Sequence, residues 1–168
     1  MEEKKKNNNL FLWEQVETTD PEFTTKVNQR GGFTAIGAQY QIKNATEVFG
    51  PFGHGFGVKD ESYTPILNDT LIVYNSTFYY KYKDESGDVA GEFPISSSIK
   101  VMMGSKLDDD CIKKVQTDAI TKGLSRLGFN ADVFMGRFDG NKYVDAKGGV
   151  PSIQVNYPES QDSKEEWI

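Results

Sequence analysis

The chain has 168 residues and a formal net charge of -6, with a single cysteine and a single histidine. That length suits one domain with a sizeable core, while Cys111 alone excludes an internal disulfide framework and, with His54, leaves too few soft ligands for a structural zinc site or an iron-sulfur cluster. No apolar run is long enough to span a bilayer and no charged start leads into an apolar signal core, so the expectation is a soluble, cytoplasmic protein without membrane contact.

In chain order, residues 1–9 (MEEKKKNNN) are charged and then polar, with nothing to bury, and are expected to be a disordered tail. Leu10, Phe11, Leu12, Trp13 and Val16 form a short apolar segment suited to docking on a core, closed by the turn residues Thr19-Asp20-Pro21. Gly31-Gly32 punctuates the stretch from Val27. From Ala38 to Phe49 the apolar positions Ala38, Tyr40, Ile42, Ala45, Val48 and Phe49 predict a helix that Gly50-Pro51 ends. The glycines of GPFGHGFGV at 50, 53, 55 and 57 invite a phosphate-loop reading, which fails because no lysine followed by serine or threonine opens a helix there. Alternating glycine and aromatic residues instead predict a tight turn entering a sheet.

Strands are predicted at Gly55 to Lys59 and Tyr63 to Leu67. Thr70 to Lys83, TLIVYNSTFYYKYK, is rich in β-branched and aromatic residues, and Val89 to Ser98 returns antiparallel after a turn at Asp84 to Asp88. Alternation puts Tyr80 and Tyr82 on one face and Tyr79 on the other. The expected fold class is α+β, an antiparallel β meander of three to four strands packed with an amphipathic helix. That helix is DDDCIKKVQTDAITKGLSRLGF, Asp108 to Phe129, in which Ile112, Val115, Ala119, Ile120, Leu124 and Leu127 recur at helical spacing. Asp108 to Asp110 suit its start and Gly128 its end. Lys113, Lys114, Lys122 and Arg126 fall outside the apolar stripe. Beyond it, Asp132 to Met135 and Arg137 to Val144 flank an Asp139-Gly140 turn and are expected to form a small closing element.

Acidic net charge argues against a nucleic-acid binder, but its distribution weakens the objection. From Pro21 to Lys59 four cations face two anions, and from Lys100 to Lys147 nine face seven, whereas Asp60 to Ile99 holds two against seven. Lys26, Arg30 and Lys43 in the first block and Lys113, Lys114, Lys122 and Arg126 in the second are the candidate phosphate contacts. Catalysis has little to rest on: His54 lacks a nucleophile partner, three consecutive aspartates point in different directions and read as a cap sooner than a magnesium site, and Cys111 reads as a small buried residue. No catalytic residue, metal or cofactor is expected.

The helix core TDAITKGLSRLGF, preceded by Lys113-Lys114 and reached after a meander, resembles the signature helix of the Rad-fifty-two superfamily of single-strand annealing proteins, phage-type members above all. Upstream, QIKNATEVFGPFGHGFGV resembles the segment of those proteins where a helix with an alanine-x-glutamate step ends in phenylalanine-glycine. The resemblance spans roughly Trp13 to Tyr143. It implies a β-β-β-α annealing core at residues 10–155 that assembles into a ring or helical filament, no nucleotide hydrolysis, and a single-stranded DNA groove in which Lys122 takes the place of one groove-lining basic residue of the family and Arg126 lies within one position of the place of another. The implied function is single-stranded DNA binding and annealing in homologous recombination and repair, in the host cytoplasm if phage-encoded. This chain departs from the pattern at Thr121, where a second consecutive cation is common, and at Phe56, where tryptophan is common.

Residues 156–168 form an acidic segment ending in Trp167-Ile168, expected to be an inert tail, a competitor for the groove or a docking peptide for a single-stranded-DNA-binding or replication protein. The alternative function is a plain single-stranded-DNA-binding protein with a five-stranded barrel and a recruiting acidic tail. A metal-dependent nuclease using Asp108 to Asp110 is the enzymatic alternative.

Overall fold

The structure, a computed structural model, describes residues 8–28 and 32–139. Their architecture is α+β. Two long strands, β4 (Leu71–Asp84) and β5 (Gly87–Lys100), pair antiparallel from Leu71↔Lys100 to Asp84↔Gly87, so a two-residue loop of Glu85 and Ser86 sets their register. Strand β3 (Phe56–Ile66) adds to the other side of β4, giving the order β3-β4-β5. The two strands expected before the hairpin are thus one. Its register with β4 shifts between Lys59 and Ser62, where Asp60 has φ 53°, and a bulge of this kind breaks the alternation that a sequence reading depends on.

Period-two alternation on β4 buries Tyr74, Ser76 and Phe78 on one face, joined by Phe56 from β3 and by Ile95 and Ser97 from β5. Helix α3 (Cys111–Arg126) covers this face with Cys111, Val115, Ala119, Ile120, Gly123 and Leu124. Ile112, expected on the buried stripe, is 42% exposed, because Cys111 takes the core-facing place in the first turn. Gly123 lets the helix lie close to the sheet: a Cβ there would stand 2.5 Å from the buried Phe78 ring. Helix α2 (Ala38–Phe49) spans the predicted range and brings Phe49 to within 5.3 Å of Phe129 and 5.8 Å of Phe56, centroid to centroid, an aromatic core of tilted and edge contacts.

Both ends of α3 differ in how they are closed. Asp110 holds the N-cap place without a side-chain capping bond; Asp108 accepts the Asp110 N–H at 3.3 Å and the Lys114 ammonium at 2.9 Å instead. At the other end the Phe129 N–H donates to the Leu124 carbonyl and the Gly128 N–H to that of Ser125, a Schellman closure with Gly128 at φ 97°. The Trp13 ring packs against that glycine, where a Cβ would lie 2.6 Å away. Gly128 therefore ends α3 and seats helix α1 (Phe11–Val16), whose Leu12 and Val16 are buried in the core.

Short elements complete the chain. Strands β1 (Thr24–Val27) and β2 (Phe33–Ile36) pair antiparallel, with Lys26 opposite Thr34. Strands β6 (Met102–Met103) and β7 (Lys106–Leu107) form a second small hairpin. Neither hairpin was expected, since two to four residues carry too little alternation to stand out. Helix α4 (Ala131–Phe134) replaces the first half of the expected closing element, and the rest of that element from Gly140 lies outside the described residues, as do residues 1–7 of the tail expected at 1–9 and the whole tail expected at 156–168; Asn8, at the end of the first, accepts the Phe11 N–H at 3.1 Å. Among the described residues the sheets are open, with two, three and two strands, and no five-stranded barrel forms.

A buried polar cluster joins the start of the fold to its end. The Thr19 N–H and hydroxyl donate to the two carboxylate oxygens of Asp132 at 2.7 and 2.5 Å, the Asn130 amide donates to the Thr19 hydroxyl at 3.0 Å, and Val133 N–H completes the shell at 2.8 Å. Asp132 is 2% exposed, so its removal leaves buried donors without acceptors. Asp132→Ala is expected to lower unfolding stability by about 3 kcal/mol, read from the midpoint of urea denaturation, with Thr19→Val costing about half as much.

Candidate nucleic-acid interface

Helix α3 carries four of the seven candidate cations, and they divide between two flanks. Lys113 and Lys122 are nine residues apart, about half a turn out of phase at roughly 100° per residue. On one flank Lys122 and Arg126 run along β5. The Lys122 ammonium lies 2.5 Å from the Asp118 carboxylate and donates to the Ser97 hydroxyl at 3.1 Å, while Ser97 also donates to Asp118. The Arg126 guanidinium donates to the Pro94 carbonyl at 3.2 Å and sits 5.9 Å from the centre of the Phe93 ring. Both side chains are exposed, Lys122 to 50%, yet both are anchored to the edge strand, which limits how far they wander.

On the other flank Lys113 and Lys114 line a cleft of about 610 Å³ between β2, the start of α2, α3 and α4. Lys114 is held by Asp108, whose hydrogen bond raises the lysine pKa above its ordinary value. Lys113 makes no ion pair among the described residues. Phe33, Ile36, Ala38, Gln41, Thr117 and Phe134 also line this space. Of the remaining candidates, Lys26 on β1 approaches Asp139 at 3.5 Å, beside the cleft, and Lys43 on α2 pairs loosely with Glu47 at 3.9 Å. Arg30 belongs to the segment joining β1 and β2 and lies outside the described residues.

Four of the candidate cations, Lys26, Lys43, Lys114 and Lys122, thus face a carboxylate. The pairs at Lys26, Lys43 and Lys122 are of the exposed kind worth about 0–1 kcal/mol each, so a phosphate can exchange for the carboxylate at little net cost, whereas Asp108 is buried and holds Lys114 more firmly. The same exchange makes any phosphate binding modest and sensitive to salt.

Sequence reasoning missed Phe33, Gln41 and Phe134. Phe33 sits in a four-residue strand and Phe134 in a four-residue helix, and the cleft they share exists only where β2 and α4 meet α3. His54 lies with Lys59, Tyr79 and Lys81 around a shallower hollow on the uncovered face of the sheet, where Lys59 pairs with Glu92 at 2.6 Å. Tyr79 is on that face, while Tyr80 and Tyr82 pack toward Phe49, as alternation predicts.

Within the described residues no helix is long and apolar enough to cross a membrane. Compared with the models of known protein families the chain matches none, and no curated protein sequence is significantly similar to it.

Proposed function

We propose that this protein binds single-stranded DNA and anneals complementary strands as a homo-oligomer, without cofactor or nucleotide hydrolysis. One observation carries the proposal: the TDAITKGLSRLGF segment is a helix laid on a β3-β4-β5 meander, with Lys122 and Arg126 anchored along β5 and open to solvent. Three long strands, then the short β6-β7 hairpin, then a basic helix is a chain order that supports the β-β-β-α reading implied by the resemblance to annealing proteins. Cations fixed at spaced points along one strand edge suit a repeating phosphate backbone. Neutralising two strands removes the repulsion that slows their meeting, and leaving most base edges free lets pairing itself test complementarity.

Assembly is supported by two features. Within the three-stranded sheet β3 and β5 are both edges, and a head-to-tail contact between unlike edges generates rings or filaments. Leu67, Met103 and Leu107 are 70%, 66% and 61% exposed, apolar side chains available to an assembly contact.

The test mixes complementary oligonucleotides carrying a donor and an acceptor dye and follows duplex formation with and without the full chain. Expected are faster annealing, and binding that weakens by about 0.7 in log affinity per tenfold salt for each phosphate neutralised. Binding without faster annealing would identify a plain single-strand binder, and cleavage of the DNA in magnesium a nuclease; either overturns the proposal.

A further inference from the structure

The cleft beside Lys113 has a composition that phosphate contacts leave unexplained. Phe33 from β2 and Phe134 from α4 line it, yet they remain 42% and 57% exposed. Aromatic rings facing water in a concave site are covered favourably by a flat apolar group, and every nucleobase has such a face. Gln41, also lining the cleft, is fully buried; its amide nitrogen donates to the Phe129 carbonyl at 3.3 Å, and its Oε1 has no donor among the described residues. Ser76 Oγ and Asn130 Oδ1 are likewise buried without a partner among the described residues, and of the three only Gln41 belongs to the cleft lining. Lys113 stands on the wall without an ion pair among the described residues, and Thr117 stands on the same wall, its hydroxyl donating to the Lys113 carbonyl. At about 610 Å³ the space lies within the roughly 300–1,000 Å³ range of small-ligand sites.

Resting on the reading of this protein as a single-stranded DNA binder, we propose that the cleft takes one nucleobase per protomer, turned out of the strand. The base stacks on Phe33 and Phe134, an N–H of its pairing edge donates to Gln41 Oε1, and Lys113 meets the adjoining phosphate. All four natural bases carry an N–H donor on the pairing edge, so a lone acceptor binds them without sequence preference. A base held by that edge cannot pair. Each protomer therefore withholds one base from the search for complementarity and releases it as the duplex forms, which sets a fixed spacing of free bases between protomers.

The experiment measures affinity of the full chain, by fluorescence anisotropy, for three strands of equal length and charge: oligothymidine, the same strand with abasic sites, and oligo-N3-methylthymidine, which keeps the ring and loses the donor. Oligothymidine is expected to bind about tenfold more tightly than the abasic strand, with the methylated strand between them. In the double variant Phe33→Ala, Phe134→Ala the preference for bases is expected to fall to within about twofold, with the salt slope unchanged. Both rings are exposed, so their loss spares the core. Equal binding of natural and abasic strands, or a base preference intact in the double variant, overturns the cleft while leaving annealing in place. Equal binding of thymidine and its N3-methyl form overturns the role of Gln41. Failure of the unmodified protein to bind any of the strands overturns the annealing reading and the cleft together.

Discussion

Lys122→Glu combined with Arg126→Glu is expected to abolish strand annealing while the protein stays folded. The two side chains lie along β5 on the same flank of α3, so the double variant replaces two anchored cations by two anions in the path proposed for the backbone. Removing two phosphate contacts per protomer lowers the salt slope by about 1.4, and the added repulsion depresses what affinity remains. The cost to the fold is small by comparison. Lys122 loses an exposed ion pair worth about 0–1 kcal/mol, and Arg126 loses its carbonyl hydrogen bond and its place by the Phe93 ring, together about 1–2 kcal/mol. Circular dichroism melting read beside the annealing assay separates the two effects. Unchanged annealing in a folded double variant would remove this flank from the interface, leaving the Lys113 flank as the remaining candidate.

Gly55→Ala is the substitution expected to harm the fold most for its size. The chain turns sharply after α2, with the Gly55 N–H donating to the Pro51 carbonyl at 2.8 Å and the Lys81 N–H donating to the Gly55 carbonyl at 2.9 Å. A Cβ at this position would overlap the carbonyl group of Phe49 and crowd the Gly50 nitrogen. These are backbone atoms at the end of a helix whose last side chain, Phe49, is in the aromatic core, so nothing can swing aside. Destabilisation at the upper end of about 1–3 kcal/mol is expected in urea unfolding. Gly53→Ala is the control: its surroundings are open and only its φ of 83° is unfavourable for alanine, for a loss of about 1 kcal/mol. Equal losses at the two positions would show that turn conformation, and not close approach, is what the glycines supply.

That pair of glycines also shows where a sequence reading succeeds. The GPFGHGFGV run is legible as a turn into a strand because glycine spacing and the absence of a following lysine are local facts. Helix α2, the β4-β5 hairpin and α3 are legible for the same reason: each is long enough for its period to repeat several times. Strands β1, β2, β6 and β7 are too short for that, and the bulge at Lys59 to Ser62 split one strand into two on paper.

The composition of the candidate interface follows a similar division. Which residues are cations, that they crowd into two blocks of the chain, and that α3 has a buried stripe are all properties of neighbours in sequence. The carboxylates facing Lys43, Lys114 and Lys122 are also near neighbours in the chain, and tertiary structure decided the remaining contacts. Lys122 meets Ser97 across 25 positions and Lys26 meets Asp139 across 113, and Thr19 closes on Asp132 over the same separation of 113. Such pairings depend on where β5, β1 and α4 come to rest, and loop closure over those distances leaves no periodic trace in the chain. The cleft beneath Phe33, Gln41 and Phe134 is the clearest instance, since it is a space between elements that no single stretch of sequence contains.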